Sequence, residues 1–88
     1  MILQDAYERA QAFLDSRIRP LHGPDVVICS CKEFRTAWVF CYNGRRYMAD
    51  DDFSAAIVGN GPVVVPKSGA EPYLGGSGIP IEDQIKEL

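Results

Sequence analysis

The residues of this chain that are chemically suited to hold a metal ion or act as nucleophiles are three cysteines, Cys29, Cys31 and Cys41, and the single histidine, His22. Structural zinc sites usually space paired cysteines as CxxC, whereas Cys29 and Cys31 form a CxC pair, which on a strand directs both thiols to one face. Cysteine is also among the residue types most often buried. Core packing is therefore the favoured interpretation, and the alternatives are a redox switch or a Cys29–Cys41 disulfide.

Catalysis has little support in the sequence. A Cys–His nucleophilic pair is formally present, but His22 precedes Gly23-Pro24, a pattern typical of a loop, and nothing positions it beside a thiol. No pair of carboxylates suggests acid–base catalysis. We therefore expect a protein that is not an enzyme, without catalytic residues, bound metal or cofactor. A small enzyme or metal-dependent protein remains the third alternative.

Two glycine-rich segments, residues 59–62 and 75–78, raise the question of phosphate binding. Neither matches GxGxxG or a Walker motif, and neither follows a strand while opening a long helix. Turns that need a positive φ explain them better.

Charged and aromatic residues near the middle of the chain could form a contact surface. The acidic run at residues 50–52 lacks EF-hand spacing, so it indicates either a solvated loop or an acidic contact for a basic partner. Aromatic and arginine side chains are enriched at protein interfaces. The candidate partner-binding residues are therefore Trp38, Tyr42, Arg45, Arg46, Tyr47, Asp50, Asp51 and Asp52. The alternative is a core position for Trp38 and plain surface for the charged residues.

These residues must be positioned by a small set of elements. Apolar residues at three- and four-residue steps predict an amphipathic helix over residues 1–16, extending to about Arg19 because Pro20 follows. β-Branched and aromatic residues predict strands over residues 26–32, 36–42, 63–67 and 70–74, and Asn43-Gly44 predicts a tight turn into a short strand over residues 45–48. Pro66 indicates that its strand lies at an edge or ends early. Pro80 introduces a closing helix over residues 81–88.

This order predicts an α+β fold, with an N-terminal helix packed on an antiparallel sheet of about four strands and a short C-terminal helix. The first helix covers one face of the sheet, and the other face is expected to be available to a partner. A chain of 88 residues predicts one domain spanning residues 1–88.

Composition narrows the function further. Apolar residues make up 47% and charged residues 24% of the chain, as in globular proteins, and the net charge of −3 argues against a nucleic-acid partner. No apolar run spans a bilayer and the N-terminus lacks signal-peptide features, so we expect no membrane contact, a cytoplasmic location and reduced thiols. The oligomeric state is expected to be a monomer or a small homo-oligomer.

Two motifs carry a resemblance to a known family. The segment from Thr36 to Asn43 places a tryptophan before alternating aromatic residues, and Gly59-Asn60-Gly61-Pro62 leads into three valines. With the N-terminal helix, the Lys67-Ser68-Gly69 turn and the Pro80-Ile81-Glu82-Asp83 start of the last helix, this resembles the immunity protein 35 family, which includes YrhB-type proteins. The chain departs from the pattern at Pro66, which concerns only the local turn.

The resemblance implies a bacterial, cytosolic immunity protein that binds and neutralises a cognate toxin in a polymorphic-toxin system. Its YrhB-type branch implies instead a small stress-related, chaperone-like protein that binds unfolded clients. Neither branch supplies catalytic residues.

Overall fold

The computed structural model describes residues 1–50, 61–76 and 79–86, with the side chain of residue 50 left out. The helices are α1 (Leu3–Phe13), which continues through a π-helical segment (Leu14–Ile18), then α2 (Arg19–His22), α3 (Arg45–Asp50) and α4 (Ile81–Ile85). The strands are β1 (Val26–Glu33), β2 (Ala37–Gly44), β3 (Val63–Pro66) and β4 (Tyr73–Leu74).

The four strands form one antiparallel sheet in the order β1-β2-β3-β4. Phe40 of β2 lies opposite Val63 of β3, and Val39 lies opposite Val64. Neighbouring residues of a strand face opposite sides, so these pairs belong to the two faces of the sheet. The predicted α+β fold is confirmed, with an N-terminal helix, four antiparallel strands and a short C-terminal helix.

One face of the sheet is covered by α1 and the π-helical segment. Ala6 and Ala10 are fully buried, and their small side chains let the helix lie close to the strands. Phe40 packs in this layer, with its ring in an edge-to-face contact with Tyr7 at a centroid distance of 6.4 Å. The buried residues of this core are Ala6, Ala10, Leu14, Ile18, Val26, Phe40, Tyr42, Val63 and Val65.

The opposite face is partly covered by α4. Ile85 packs in a second cluster with Ala37, Val39 and Val64, and Thr36 fixes the helix end by donating its hydroxyl to the Ile85 carbonyl oxygen at 2.8 Å. The expectation that this whole face is available to a partner is therefore wrong, because α4 occupies the part beside β3.

The first helical stretch continues beyond Arg19, which corrects the predicted end. The backbone N–H of Arg19 donates to the Leu14 carbonyl, a bond five residues back that defines the π-helical segment. This wider turn precedes Pro20, which has no N–H and clashes with a regular preceding turn. The helix ends only at Gly23, whose φ is 94°. His22 is consequently an exposed residue at the end of α2 and not a loop residue.

Arg19 joins the helical stretch to the start of β1. Its guanidinium donates to the Val26 carbonyl from Nε at 3.2 Å and from Nη2 at 2.9 Å, and Nη2 also donates to Gln11 Oε1 at 2.7 Å. Nη1 forms an ion pair with Asp15 at 2.7 Å. The planar fork of arginine can reach all these acceptors at once, which a lysine ammonium cannot.

We expect Arg19→Ala to lower the free energy of unfolding by about 1.5–3 kcal/mol, since it leaves part-buried acceptors without their charged donor. Arg19→Lys should recover less than half of the loss. Urea titration followed by circular dichroism measures both changes. Arg17→Ala, an exposed change in the same stretch, is the control and should stay within about 0.5 kcal/mol. Equal stability of the Ala, Lys and unchanged proteins would contradict this role of Arg19.

The predicted short strand over residues 45–48 is wrong, because these residues form α3. Asn43 and Gly44 do not turn; they extend β2 and pair with Val27 and Val26. The backbone N–H of Arg45 then donates to the Asp25 carbonyl at 2.8 Å, which ends the ladder. Arginine, methionine and alanine favour a helix once pairing has stopped.

The second half of the sheet follows the prediction with shorter strands. Of the two alternatives that Pro66 indicated, an edge position or an early end, the structure shows the early end: β3 stops at Pro66 and lies between β2 and β4. The Lys67–Gly69 turn is confirmed by a Gly69 N–H to Pro66 carbonyl bond of 3.2 Å and by the Gly69 φ of 92°. β4 comprises only Tyr73–Leu74, and α4 ends at Ile85.

Gly61, Gly75 and Gly76 do not have the positive φ that was predicted for the two glycine-rich segments. Positive φ occurs at Gly23 and Gly69 among the described residues. Gly61 instead meets the backbone of Gly75, so that even a methyl group would overlap the Gly75 carbonyl oxygen. Close backbone approach explains Gly61, whereas a Cβ at Gly75 would meet the side chains of Ile81 and Gln84, and no close contact explains Gly76. Residues 59–60 and 77–78 lie outside the described part.

Candidate partner-binding surface

Trp38 is half-buried at the end of the sheet near the N-terminus of α1. Its indole Nε1 donates to the Met1 carbonyl at 3.3 Å, and its ring packs against the core below α1. The Lys67 ammonium lies 5.6 Å from the ring centroid and forms a 2.6 Å ion pair with Glu33. Trp38 thus combines a core contact with a partly accessible edge.

Tyr42 is buried in the core on the α1 side, with 8% of its surface exposed. Trp38 precedes Gly44 by six positions of β2, which separates it by about 20 Å from the start of α3. The structure therefore does not bring Trp38, Tyr42 and Tyr47 into one rim. Any partner contact by Trp38 would be separate from one made by α3.

The α3 helix brings together the remaining described residues of the predicted surface. Arg45 and Arg46 are exposed and Tyr47 is half-buried. Arg46 forms an ion pair of 3.5 Å with Asp25, and both side chains remain more than half exposed. Asp50 ends α3 with its side chain undescribed, and Asp51 and Asp52 lie outside the described residues.

Met48 is a member of this surface that the sequence analysis missed. It lies on α3 beside the two arginines, and 51% of its surface is exposed. Methionine and arginine are both enriched at protein interfaces. The exposure of Met48 could have been predicted only if residues 45–50 had been predicted as a helix. In the predicted strand, the face on which Met48 lies would have followed from the alternation of side chains.

A second feature missed by sequence analysis is an apolar groove between α1 and β1. It has a volume of about 440 Å³ and is lined by Leu3, Tyr7, Ile28 and Phe40, with polar groups at its border. Leu3 and Tyr7 are each 44% exposed, and Ile2 is 64% exposed. The three- and four-residue steps predicted that Leu3 belongs to the buried stripe, whereas only Ala6 and Ala10 of α1 are fully buried.

The cysteines do not pack in the core, which corrects the favoured interpretation. All three are exposed free thiols. β1 is the edge strand and contains an irregularity between Ile28 and Ser30, so that Cys29 is an extra, bulged residue. By alternation, Cys31 then lies on the α1 face opposite Phe40, while Ser30 and Cys41 lie on the other face. The bulge also means that the CxC spacing does not place Cys29 and Cys31 on one face.

Partial burial raises the pKa of the Cys29 thiol above its ordinary value, and the charge of Cys41 raises it further, while a hydrogen bond with Ser30 opposes the rise. A raised pKa means that the thiolate forms at more alkaline pH than in a free cysteine. Because the thiolate is the nucleophile, Cys29 reacts more slowly at neutral pH. This is the opposite of what an activated catalytic cysteine needs.

Residues 1–50, 61–76 and 79–86 contain no group of three or more histidine, cysteine, aspartate or glutamate side chains arranged to hold a metal ion. None of the helices in this described part is long and apolar enough to cross a membrane.

A model of one protein family, described as Immunity protein 35, matches residues 4–86. The chain belongs to the immunity protein 35 family. The match begins at the second residue of α1 and ends just after α4, so it includes every strand of the sheet. The resemblance inferred from the tryptophan strand and the glycine-proline segment is confirmed.

This immunity protein 35 member also has a similar protein in Escherichia coli (strain K12), described as "Uncharacterized protein YrhB". The two are 29% identical over 83 residues, covering 94% of this chain and 83% of that protein. No solved structure was found to match the chain.

Proposed function

We propose that this protein is a bacterial immunity protein that binds and neutralises a cognate toxin protein of a polymorphic-toxin system. The observation that carries the proposal is the family match over nearly the whole chain. The described structure is consistent with a binding role, because it presents an exposed helix with arginine and methionine side chains and an apolar groove. Its place of action is the cytoplasm, and its single domain acts as the antidote.

The toxin contact is placed on the α3 surface, defined here as Arg45, Arg46, Tyr47, Met48 and Asp50, followed by Asp51 and Asp52. In the described part of this surface, the exposed Met48 lies on the same short helix as the exposed Arg45 and Arg46, a combination of apolar and charged side chains that is common at interfaces. Charges at the border accelerate the encounter of the two proteins more than they tighten the final complex. An interface of standard size needs about 800 Å² from each partner, so residues outside α3 must also contribute.

A growth-rescue experiment tests the function. The reading frame adjacent to the gene is expressed in a bacterial host, with and without this protein, and the purified pair is titrated. We expect rescue of growth and a one-to-one complex with a dissociation constant below about 1 μM. A toxic neighbour that this protein neither binds nor relieves would overturn the proposal.

Charge reversal tests the placement of the contact. The combined variant Asp50→Lys, Asp51→Lys, Asp52→Lys should weaken binding to a basic toxin by about 10- to 100-fold, mainly through slower association. The matched control, Asp5→Lys, Glu8→Lys, Glu71→Lys, changes the net charge equally at exposed positions elsewhere and should lose less than about threefold. Equal losses in both variants would show that net charge alone matters and would remove the contact from α3.

The apolar groove between α1 and β1 supports a second candidate, a chaperone-like protein that binds unfolded clients. Exposed Ile2, Leu3 and Tyr7 offer the contact that such clients need. This function predicts weak binding to several unrelated clients. This function would be favoured if the protein suppressed the aggregation of two unrelated proteins and Leu3→Ser reduced that effect. The immunity function would at the same time have to fail its own test, with no binding to the product of the adjacent reading frame.

A further inference from the structure

The bulge in β1 places two cysteines next to each other on neighbouring strands. Ile28 lies opposite Tyr42 and Ser30 lies opposite Cys41, so the extra residue Cys29 stands next to the Ser30–Cys41 pair. In a bulge, two residues of one strand oppose a single residue of the other, which here are Cys29 and Ser30 opposite Cys41. Opposed residues of an antiparallel pair have Cα atoms about 4.5–5.5 Å apart. In this hairpin the directly opposed pair is Ser30 and Cys41, and Cys29 is the chain neighbour of Ser30. A disulfide bridges a Cα separation of about 4.4–6.8 Å.

Three further observations support this pairing. Burial and, after it, the charge of Cys41 raise the pKa of the Cys29 thiol, as expected for two thiols on adjacent strands. Both thiols are free and exposed, so an oxidant can reach them. The third cysteine, Cys31, lies opposite Phe40 on the other face of the sheet and therefore points away from the pair.

We propose that Cys29 and Cys41 form a redox-active dithiol that closes to an intramolecular disulfide by reaction with a small disulfide such as oxidised glutathione. This inference is independent of the proposed toxin contact. One protein thiolate attacks a sulfur of oxidised glutathione, the glutathione S–S bond breaks, and one glutathione leaves as a thiolate that takes up a proton. The second protein thiol loses its proton, attacks the protein sulfur of the mixed disulfide, and releases the second glutathione. Two protein thiols are oxidised to one disulfide, and one glutathione disulfide is reduced to two thiols.

The bond joins the edge strand β1 to β2 across the bulge. The disulfide would hold β1 against β2 where the regular pairing is interrupted. This part of the sheet, beside Ser30, is exposed. The dithiol therefore links the redox state of the surroundings to the rigidity of this edge.

The test uses the full chain equilibrated in mixtures of reduced and oxidised glutathione, quenched with acid, labelled with a maleimide and weighed by mass spectrometry. We expect accessible thiols to fall from three to one in the unchanged protein. Cys31→Ser should fall from two thiols to none, with a monomeric mass lower by two hydrogen atoms. Cys29→Ser and Cys41→Ser should form no intramolecular disulfide and should instead retain bound glutathione.

The same variants provide the outcomes that would overturn the proposal. Loss of the intramolecular disulfide in Cys31→Ser would assign the bond to Cys31. Formation of mixed disulfides at all three cysteines, or of disulfide-linked dimers only, would show that Cys29 and Cys41 do not meet. Closure should accelerate as pH rises through the alkaline range, since Cys29 must lose its proton to react.

Discussion

Replacing Phe40 with alanine is expected to lower the free energy of unfolding by about 3–5 kcal/mol. Phe40 is fully buried between α1 and the sheet, its ring contacts Tyr7, and Val63 lies opposite it on β3. The substitution removes the contacts of the ring with α1 and with the neighbouring strand β3. It also leaves a cavity in the core between the helix and the sheet. A small domain has only about 5–15 kcal/mol of total stability, so much of the variant should be unfolded at 37 °C.

Urea or thermal unfolding followed by circular dichroism measures the Phe40→Ala effect. The next residue, Cys41, provides the matched control, because it lies on the same strand but is exposed on the opposite face. Cys41→Ala should change stability by less than about 0.5 kcal/mol. Similar losses of unfolding free energy in Phe40→Ala and Cys41→Ala would contradict this expectation. They would mean that any substitution in β2 destabilises the protein, whether or not the side chain lies in the core beneath α1.

Replacing Gly61 with alanine is the second large effect, with an expected loss of at least about 2 kcal/mol. A methyl group at this position would overlap the carbonyl oxygen of Gly75, and a backbone atom cannot move aside as a flexible side chain can. The two segments of the chain are held together there by the Gly75 N–H, which donates to the Pro62 carbonyl at 2.8 Å. Separating them breaks this bond and disturbs the start of the β3–β4 pairing.

The control for this second substitution is Gly76→Ala. The nearest atom that its methyl group would meet is Gln84 Oε1 at 3.7 Å, an ordinary contact with a movable side chain. We expect a change within about 0.5 kcal/mol and an unaltered spectrum. Unfolding curves for the two variants give the comparison, and equal stability of Gly61→Ala and the unchanged protein would show that the backbones can separate easily.

Much of this fold is predictable from local patterns. The periodicity of α1, the β-branched residues of β1 to β3, and Pro80 before α4 each act within a few residues, and the structure contains all of these elements. The Lys67–Gly69 turn is also predictable, because its positive φ requires glycine. The family motif depends on the same local features.

The errors arise where distant residues decide the conformation. Asn43-Gly44 is a strong turn signal, but both residues remain in β2 because Val26 and Val27 pair with them. The cysteines were assigned to the core because cysteine is commonly buried, whereas all three are exposed, and no local pattern predicts the bulge at Cys29. The Arg19 side chain also contacts the Val26 carbonyl of β1, which no local pattern predicts.

The candidate site was less predictable than the fold for the same reason. The sequence analysis placed Trp38 and Tyr47 in one contact surface because aromatic and arginine side chains are enriched at interfaces. Conversion of residues 45–50 to a helix moves Tyr47 away from Trp38 and exposes Met48. Whether α3 contacts a toxin stays a prediction until the charge-reversal variants are measured.

The irregularity in β1 has a consequence for behaviour at high concentration. An unpaired edge strand offers a template on which copies of a protein can stack into fibrils, and a continuous ladder is what makes such stacking propagate. The extra residue at Cys29 interrupts that ladder, and the charged side chains of Lys32 and Glu33 follow it at the exposed end of β1. We therefore expect the bulge to hinder fibril formation, and loss of one residue there to leave an uninterrupted edge.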